Sequence, residues 1–216
     1  MPQQLLLDLV GPPSYGRADF LPAEANAAAL AWIDRWPDWP GPASVLVGPP
    51  GSGKSHLLHL WAERAQALRL RGVDLDQPEL AAVLDTLGTA RQVALDDAEA
   101  VAGRPDAERQ LFHLYNWLRE RGGYLLLAAA AAPARWHLRL PDLASRLRAA
   151  VVAEIGPPDD ALLAAVLVKL FHDRQVVVGE EVVQYLVRRM QRSLSAAGRL
   201  STASTAGHWP TSGRFP

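Results

Sequence analysis

Short apolar runs alternate with amphipathic segments along most of this chain. Five runs have the length and composition of buried strands, at 44–48, 67–71, 92–96, 123–129 and 150–155. Five further segments are typical of helices, at 23–35, 53–66, 77–86, 106–121 and 141–149. Strands that alternate with helices predict an α/β fold, in which a parallel five-stranded sheet carries helices on both faces.

The pattern changes after residue 155. Gly156, Pro157 and Pro158 interrupt the chain, and Asp159 or Asp160 can cap the helix that follows. From there only helical spacing recurs, at 159–173 and 180–194, which predicts a small all-helical lid after the α/β core. The stretch 195–216 is rich in Ser, Thr, Gly and Ala and has no periodicity, which predicts a disordered tail.

Composition narrows the class of protein. The chain has 216 residues, of which 49% are hydrophobic and 21% are charged, as is usual for a globular domain. The formal net charge of −1 provides no global basic field for tight binding to nucleic acid. The chain has no cysteine, no signal-like amino terminus and no run long enough to span a membrane. We therefore expect a cytoplasmic protein without membrane contact.

The clearest chemical signal is the stretch 48–55, which has the form GxxxxGK[ST] between a predicted strand and a predicted helix. Glycines let the backbone wrap around an anion, so that loop N–H groups and the helix N-terminus point at phosphates. Lys54 supplies charge for the outer phosphates, and the Ser55 hydroxyl can ligate Mg²⁺. The predicted nucleotide-binding residues here are Gly48, Pro49, Pro50, Gly51, Ser52, Gly53, Lys54, Ser55 and His56.

A second signal is the acidic pair Asp96 and Asp97 at the end of an apolar run. In NTPases with such a phosphate loop, one acid at this place orients Mg²⁺ and its neighbour polarises the attacking water. We assign Asp96 to the metal and Asp97 to the water. By itself such a pair could equally cap the next helix. Its place after a phosphate loop is what favours a role in nucleotide hydrolysis.

These motifs and several other stretches resemble AAA+ ATPases of the bacterial replication-initiator group, and within it the DnaA-related regulatory inactivators of the Hda (HdaA) family. The matching stretches are 16–21 with Asn26, 48–55, 95–97, 111–116, 143–147 and 187–190, within a resemblance that covers 3–194. The resemblance implies an arm at 1–14, an AAA+ core at 15–155 and a helical lid at 156–194. Full-length initiators carry a C-terminal DNA-binding domain for which this sequence has no room, so we expect the inactivator subfamily.

The resemblance also implies roles that spacing alone does not give. Arg146 matches the arginine finger, which reaches into the nucleotide site of a neighbouring subunit. Spacing alone favours a solvated arginine at this position. Arg188 matches the sensor-2 arginine of the lid, with a surface charge as the alternative. Phe20 and Leu21 match the segment that lines the adenine pocket.

One family element is missing. Relatives place a polar sensor-1 residue after the strand at 123–129, where this chain has alanines at 128–132. An alanine side chain cannot hydrogen-bond a γ-phosphate or a water. We therefore expect weak or absent intrinsic ATP hydrolysis.

The amino-terminal arm reads Gln4-Leu5-Leu6-Leu7-Asp8-Leu9. It is similar to the peptide with which bacterial proteins dock on the sliding clamp of the replicative polymerase. Such docking needs a glutamine for a polar rim and spaced leucines for an apolar pocket. The clamp-binding residues are then Gln4, Leu5, Leu7 and Leu9, and a first core strand is the alternative.

The resemblance implies a regulator of chromosomal replication initiation. With ADP or ATP and Mg²⁺ bound, the chain docks on the clamp, reaches DNA only through it, and presents Arg146 to the ATP of a DnaA-type initiator. A homodimer is compatible with the pattern. Two alternatives stay open. One is a self-sufficient AAA+ ATPase of the helicase-loader or transposition type, and the other is a clamp-tethered nucleotide sensor that stimulates no hydrolysis.

The tail is atypical for this family. The resemblance stops near Ala197, although relatives continue the lid with a last helical segment. One hypothesis is that 195–216 reflects a shifted reading frame, in the gene or in its sequencing. The lid would then lack its final helix.

Overall fold

A parallel sheet is the frame of the molecule. A computed structural model describes residues 16–77 and 91–205, and its five-stranded sheet has the order β2-β3-β4-β1-β5 with parallel pairing throughout. The strands are β1 (Ala43–Val47), β2 (Leu68–Arg71), β3 (Gln92–Asp96), β4 (Tyr124–Ala129) and β5 (Val151–Glu154). They coincide with the five apolar runs, so the predicted parallel sheet is confirmed.

Helices cover both faces of the sheet. The first four are α1 (Glu24–Asp34), α2 (Lys54–Ala65), α3 (Pro105–Glu120) and α4 (Pro141–Arg148). One face packs against α1 and α2 through residues such as Leu126, and the other packs against α3 and α4 through residues such as Leu125 and Leu127. Because both faces are covered, successive residues of β4 are buried and the strand is a continuous apolar run.

The strand order determines where a ligand can bind. β1 lies between β4 and β5, and the segment after β1 begins at the carboxyl edge of the sheet. The Gly48 N–H donates to the Ala129 carbonyl at the end of β4 (3.3 Å), and the Ile155 N–H donates to the Val47 carbonyl (2.7 Å). Open α/β sheets bind ligands at this edge, outside the carboxyl ends of their strands.

Three more helices form a lid with its own apolar core. They are α5 (Asp160–Asp173), α6 (Glu180–Arg189) and α7 (Leu194–Thr205). The Asp159 side chain caps α5 by accepting a hydrogen bond from the Leu162 N–H. The buried residues of this core are Leu163, Leu167, Phe171, Val183, Leu186, Val187, Met190, Ala196, Ala197 and Leu200.

Two predictions for this region are wrong. The single helix expected over 180–194 ends at Arg189, because Met190 adopts an extended conformation (φ −79°, ψ 158°). The stretch from Ser195, expected to be a disordered tail, is helical as far as Thr205. Buried Ala196, Ala197 and Leu200 explain why, since small and apolar side chains at helical spacing pack against α5 and α6.

Some predictions lie outside the described residues. These are the arm with its clamp-binding residues, most of the helix predicted at 77–86, and the segment 206–216. Of the helices in the described ranges, none has the length and apolar character needed to cross a bilayer.

Candidate functional site

The predicted phosphate loop is a tight turn between β1 and α2. Gly51 (φ +72°) and Gly53 (φ +101°) adopt the left-handed backbone conformation that favours glycine, and α2 begins at Lys54. A Cβ on Gly48 would lie 2.5 Å from the Ile155 carbonyl oxygen, so only glycine lets the loop approach the end of β5 this closely. The loop and the helix N-terminus together have the form of an anion-binding site.

The Lys54 ammonium folds back over this loop. Its Nζ donates to the carbonyl oxygens of Gly48 (2.7 Å) and Pro49 (2.9 Å). Burial lowers the pKa of Lys54, and nearby carboxylates, Glu99 foremost, oppose this shift. A phosphate oxygen accepts hydrogen bonds as these carbonyls do and carries the opposite charge, so the residues present fit a nucleotide polyphosphate.

The start of α7 packs directly on the loop. The Leu194 N–H donates to the Gly51 carbonyl (2.7 Å). A Cβ on Gly51 would lie 2.5 Å from the Ser193 Cβ and 2.7 Å from the Ser195 Oγ, so no side chain fits between the loop and the lid here. The lid therefore touches the loop at Gly51, within the turn whose backbone N–H groups can bind a phosphate.

Asp96 and Asp97 end β3 and point to different neighbours. The Asp96 Oδ1 accepts from the Asp97 N–H (3.0 Å). Asp97 has a left-handed conformation (φ +49°), and its exposed carboxylate pairs with Arg71 of β2 at 3.3 Å. This ion pair lies on the β2 side of β3, whereas β1 and the phosphate loop lie on its other side. The contacts of Asp97 give no support to the predicted role with an attacking water.

Glu99 is a site residue that sequence reasoning missed. Its Oε1 accepts a hydrogen bond from the Ala130 N–H (2.7 Å), directly after β4. Its Oε2 is buried and has no hydrogen-bond partner in the part of the chain that the structure describes. Ala130 follows Ala129, whose carbonyl accepts from the Gly48 N–H (3.3 Å), so Glu99 lies next to the base of the phosphate loop. An acid at this spacing belongs to no motif, and only the packing reveals it.

The segment predicted to line an adenine pocket lies beside α2. Phe20 is 8% exposed and meets the His56 ring edge-on, with 5.2 Å between ring centroids. The Asn26 side chain accepts from the Ala23 N–H (2.9 Å) and donates to the Leu21 carbonyl (3.1 Å). This pair of bonds fixes the chain between Leu21 and α1. The contact with His56 places Phe20 beside the helix that begins at the phosphate loop.

Arg146 is half-buried on α4 and is held against α3. Its guanidinium donates to the Asn116 Oδ1. It also lies over the rings of Phe112 and Tyr115, at 4.8 Å and 5.4 Å from their centroids. Cation–π contacts and a hydrogen bond restrict this side chain, which is therefore not the freely solvated arginine that spacing alone favours.

Two lid arginines differ in their relation to the loop. Arg188 lies on the exposed side of α6. Arg192 lies in the connection between α6 and α7, immediately before Ser193 and Leu194, which contact Gly51. Its guanidinium pairs with Asp160 at 3.0 Å on the protein surface. The sequence motif alone had indicated only Arg188.

Oxygen ligands suited to Mg²⁺ are present beside the loop. The Ser55 hydroxyl at the start of α2 and the Asp96 carboxylate are hard donors, which Mg²⁺ prefers together with phosphate oxygens and waters. Within residues 16–77 and 91–205, no group of three His, Cys, Asp or Glu could hold a metal by itself.

Comparison with known sequences finds a replication initiator protein that is similar to this chain. No protein-family model matches the chain. The chromosomal replication initiator protein DnaA of Thermomicrobium roseum is 27% identical over 209 residues, which cover 86% of this chain and 44% of that protein. The chain thus spans less than half the length of this curated relative.

Solved structures share the fold. Domain III of the Thermotoga maritima replication initiation protein DnaA has a TM-score of 0.74 and 19% identity, over 91% of this chain and 91% of that one. AMPPCP-bound DnaA from Aquifex aeolicus has a TM-score of 0.72 and 19% identity, over 91% of this chain and 66% of that one. The predicted AAA+ fold is confirmed, and it matches the fold of domain III of DnaA.

Proposed function

We propose that this chain is a nucleotide-bound cytoplasmic adaptor that controls replication initiation. It binds ADP or ATP with Mg²⁺ at the phosphate loop, docks on the sliding clamp and acts on the ATP of a DnaA-type initiator. Clamp docking rests on the resemblance of the arm alone, whose residues lie outside the described ranges. Contact with DNA is then indirect, through the clamp.

The observation that carries the proposal is the position of Arg146. Helix α4 runs from the carboxyl end of β4 back towards the start of β5, so its last turn lies near the sheet edge opposite the phosphate loop. Arg146 therefore does not serve the nucleotide of its own chain. Its contacts with Phe112, Tyr115 and Asn116 favour one side-chain conformation of Arg146 before a partner binds. A guanidinium supplied in trans stabilises the charge that spreads over a γ-phosphate during transfer.

The residues after β4 support a binding role rather than rapid hydrolysis by this chain. Ala129 and Ala130 offer no side-chain donor, and the Ala130 N–H is already bonded to Glu99. The similar Aquifex aeolicus DnaA was solved with AMPPCP, which supports nucleotide binding at this fold. In our scheme the hydrolysed ATP belongs to the partner.

The position of Arg192 supports it as the lid arginine that senses the phosphates, in preference to Arg188. Arg192 directly precedes the residues that contact Gly51, and its surface pair with Asp160 is exposed and easily exchanged. Because α7 contacts the loop, a bound nucleotide can then influence the position of the lid directly.

The test is hydrolysis of initiator-bound ATP in the presence of clamp-loaded DNA. We expect Arg146→Ala to reduce the stimulation by about a thousandfold, the size of the effect of an arginine finger in GTPases. Arg148→Ala is the matched control, because Arg148 is an exposed arginine on the same last turn of α4. Clamp binding and the melting temperature are measured for both variants, so that misfolding is not mistaken for loss of the finger.

The same assay separates the alternatives. Brisk multiple-turnover hydrolysis by the isolated chain would support the self-sufficient ATPase. Nucleotide and clamp binding without any stimulation of the initiator, in the unaltered chain, would support the nucleotide sensor. Equal stimulation by the unaltered chain and by Arg146→Ala would remove Arg146 from the mechanism.

A further inference from the structure

The carboxylate of Glu99 is joined to the end of β4 beside the phosphate loop. Oε1 is bonded to the Ala130 N–H at 2.7 Å, and the neighbouring Ala129 carbonyl accepts from the Gly48 N–H at 3.3 Å. A short chain of hydrogen bonds thus connects Glu99 to the first residue of the loop. The second oxygen, Oε2, is buried without a hydrogen-bond partner among the described residues. Such an atom keeps its capacity to accept a hydrogen bond.

This arrangement disfavours a third phosphate in two ways. First, the backbone N–H of Ala130, a donor at the end of β4, is used by Glu99, and the alanine side chains there offer no replacement. Second, a carboxylate adds negative charge at the edge where the terminal phosphate would arrive. Like charges brought together in a partly dehydrated site repel one another.

Glu99 also affects the lysine of the loop. Among the charged groups that favour the protonated form of Lys54, Glu99 has the largest effect, ahead of Asp96 and Asp97. It therefore acts as an internal counter-ion for the ammonium that would otherwise face the outer phosphates. The β-phosphate of either nucleotide can reach Lys54, but only a triphosphate adds a γ-phosphate that must approach the Glu99 carboxylate.

We propose that Glu99 makes the phosphate loop selective for a nucleoside diphosphate over a triphosphate. The proposal rests on the proposed binding of nucleotide at this loop, and it adds the residue that chooses between the two forms. Glu99 is then a specificity-determining residue, distinct from the loop residues that hold any polyphosphate.

The test is a titration of the full chain with Mg·ADP and with Mg·AMPPCP, a triphosphate analogue, by calorimetry. We expect the unaltered chain to bind ADP about tenfold or more tightly than AMPPCP, as a single like-charge contact allows. Glu99→Gln keeps the size of the side chain, removes its charge and adds an amide donor. It should tighten AMPPCP binding by about tenfold and change ADP binding by less than about twofold.

Two further variants separate charge from shape. Glu99→Ala removes the charge without adding a donor, and it should also shift the preference towards the triphosphate. Glu154→Gln is the matched control, because Glu154 is an exposed carboxylate at the same edge of the sheet, at the end of β5, and its loss should leave the ratio unchanged.

Each outcome decides between the hypotheses. Equal affinity of the unaltered chain for the two nucleotides overturns the proposal even if no variant folds. The proposal is also overturned if folded Glu99→Gln has the same ratio of ADP to AMPPCP affinity as the unaltered chain, or if both affinities change in parallel. If Glu99→Gln loses only the chain's own ATP hydrolysis, Glu99 acts as a catalytic base and the proposal fails as well. If the unaltered chain binds neither nucleotide, nucleotide binding itself fails, and the proposed function fails with it.

Discussion

Two glutamates of this chain have contrasting hydrogen-bond environments at the residue scale. Glu99 leaves one buried oxygen unpaired beside the phosphate loop. Glu108 on α3 is 1% exposed and satisfies both oxygens. Its Oε1 accepts from the Gly103 N–H (2.9 Å), and its Oε2 accepts from the N–H groups of Arg139 and Leu140 (2.8 Å each). Glu108 thus links the start of α3 to the segment that leads into α4.

This difference leads to a stability prediction. Glu108→Gln should lower the free energy of unfolding by about 2 kcal/mol, because the amide nitrogen would face an N–H donor and leave it buried without an acceptor. Glu120→Gln on the same helix is the matched control, since the Glu120 side chain is 67% exposed and should change stability by less than about 0.5 kcal/mol. Urea denaturation measures both. A loss for Glu108→Gln no larger than for the control would contradict the prediction.

The two glutamates also mark the limit of what the sequence could predict about the site. The loop at 48–55 was predictable because its chemistry depends on residues adjacent along the chain. The roles of Glu99 and Glu108 depend on backbone donors 31 and 32 residues away, such as Ala130 and Leu140. A local sequence pattern contains no information about such long-range contacts. For the same reason the sequence could not predict the ion pair between Asp97 and Arg71.

At the scale of elements, the break between α6 and α7 determines how the lid meets the loop. The Ser193 Oγ accepts from the Ala196 N–H at 3.1 Å and so caps α7. The next N–H, that of Leu194, donates to Gly51. The sequence predicted one helix across this point because the apolar spacing continues through Leu194, and spacing does not register a change of helix axis. The three central strands β1, β3 and β4 were predictable because burial on both faces makes each of them a nearly continuous apolar run. The edge strand β2 alternates leucine with arginine and carries a weaker signal.

The cap provides a test of the lid contact. Ser193→Ala should destabilise the lid by about 1 kcal/mol, because the first turn of α7 loses an acceptor for one of its free N–H groups. In Ser193→Ala, amide hydrogen exchange should become faster in α7, while exchange in β1 and β4 should change less. In the unaltered chain, Mg·ADP should slow the exchange of α7. Ser195→Ala is the control, since it leaves the capping hydroxyl in place. Identical exchange in the two variants would show that the cap does not stabilise this helix.

At the scale of the whole molecule, polar contacts join the lid to the α/β core. The Gly156 N–H donates to the Ala25 carbonyl at 2.8 Å, where the chain passes from the sheet to the lid. Lys169 of α5 pairs with Asp19 at 2.7 Å, next to the predicted adenine segment, and with Asp173 at 2.6 Å. The sequence predicted a core and a lid from the change in periodicity. Their contacts were not predictable, because they join residues far apart in the chain.

The Lys169 contact predicts how the attachment of the lid depends on pH. Burial lowers the pKa of Lys169, but its hydrogen bonds to Asp173 and Asp19 outweigh burial and raise the pKa above the ordinary value. A raised pKa in the folded state means that the ammonium stabilises the fold fully below the ordinary lysine pKa of about 10.4. This contribution is lost as the pH rises from there through the folded-state pKa.

Substitution of Lys169 should therefore matter at neutral pH and cease to matter in strong alkali. Lys169→Met should lower the free energy of unfolding by about 0.5 to 1 kcal/mol at pH 8, since the paired groups are partly buried. The difference from the unaltered chain should shrink above about pH 10.4, as the lysine loses its charge in both states. Lys169→Arg is the control, because a guanidinium stays protonated throughout and its contribution should persist. A difference between the Met variant and the unaltered chain that stays constant into strong alkali would show that the lysine acts through packing of its stem, not through the charge that joins the lid to the core.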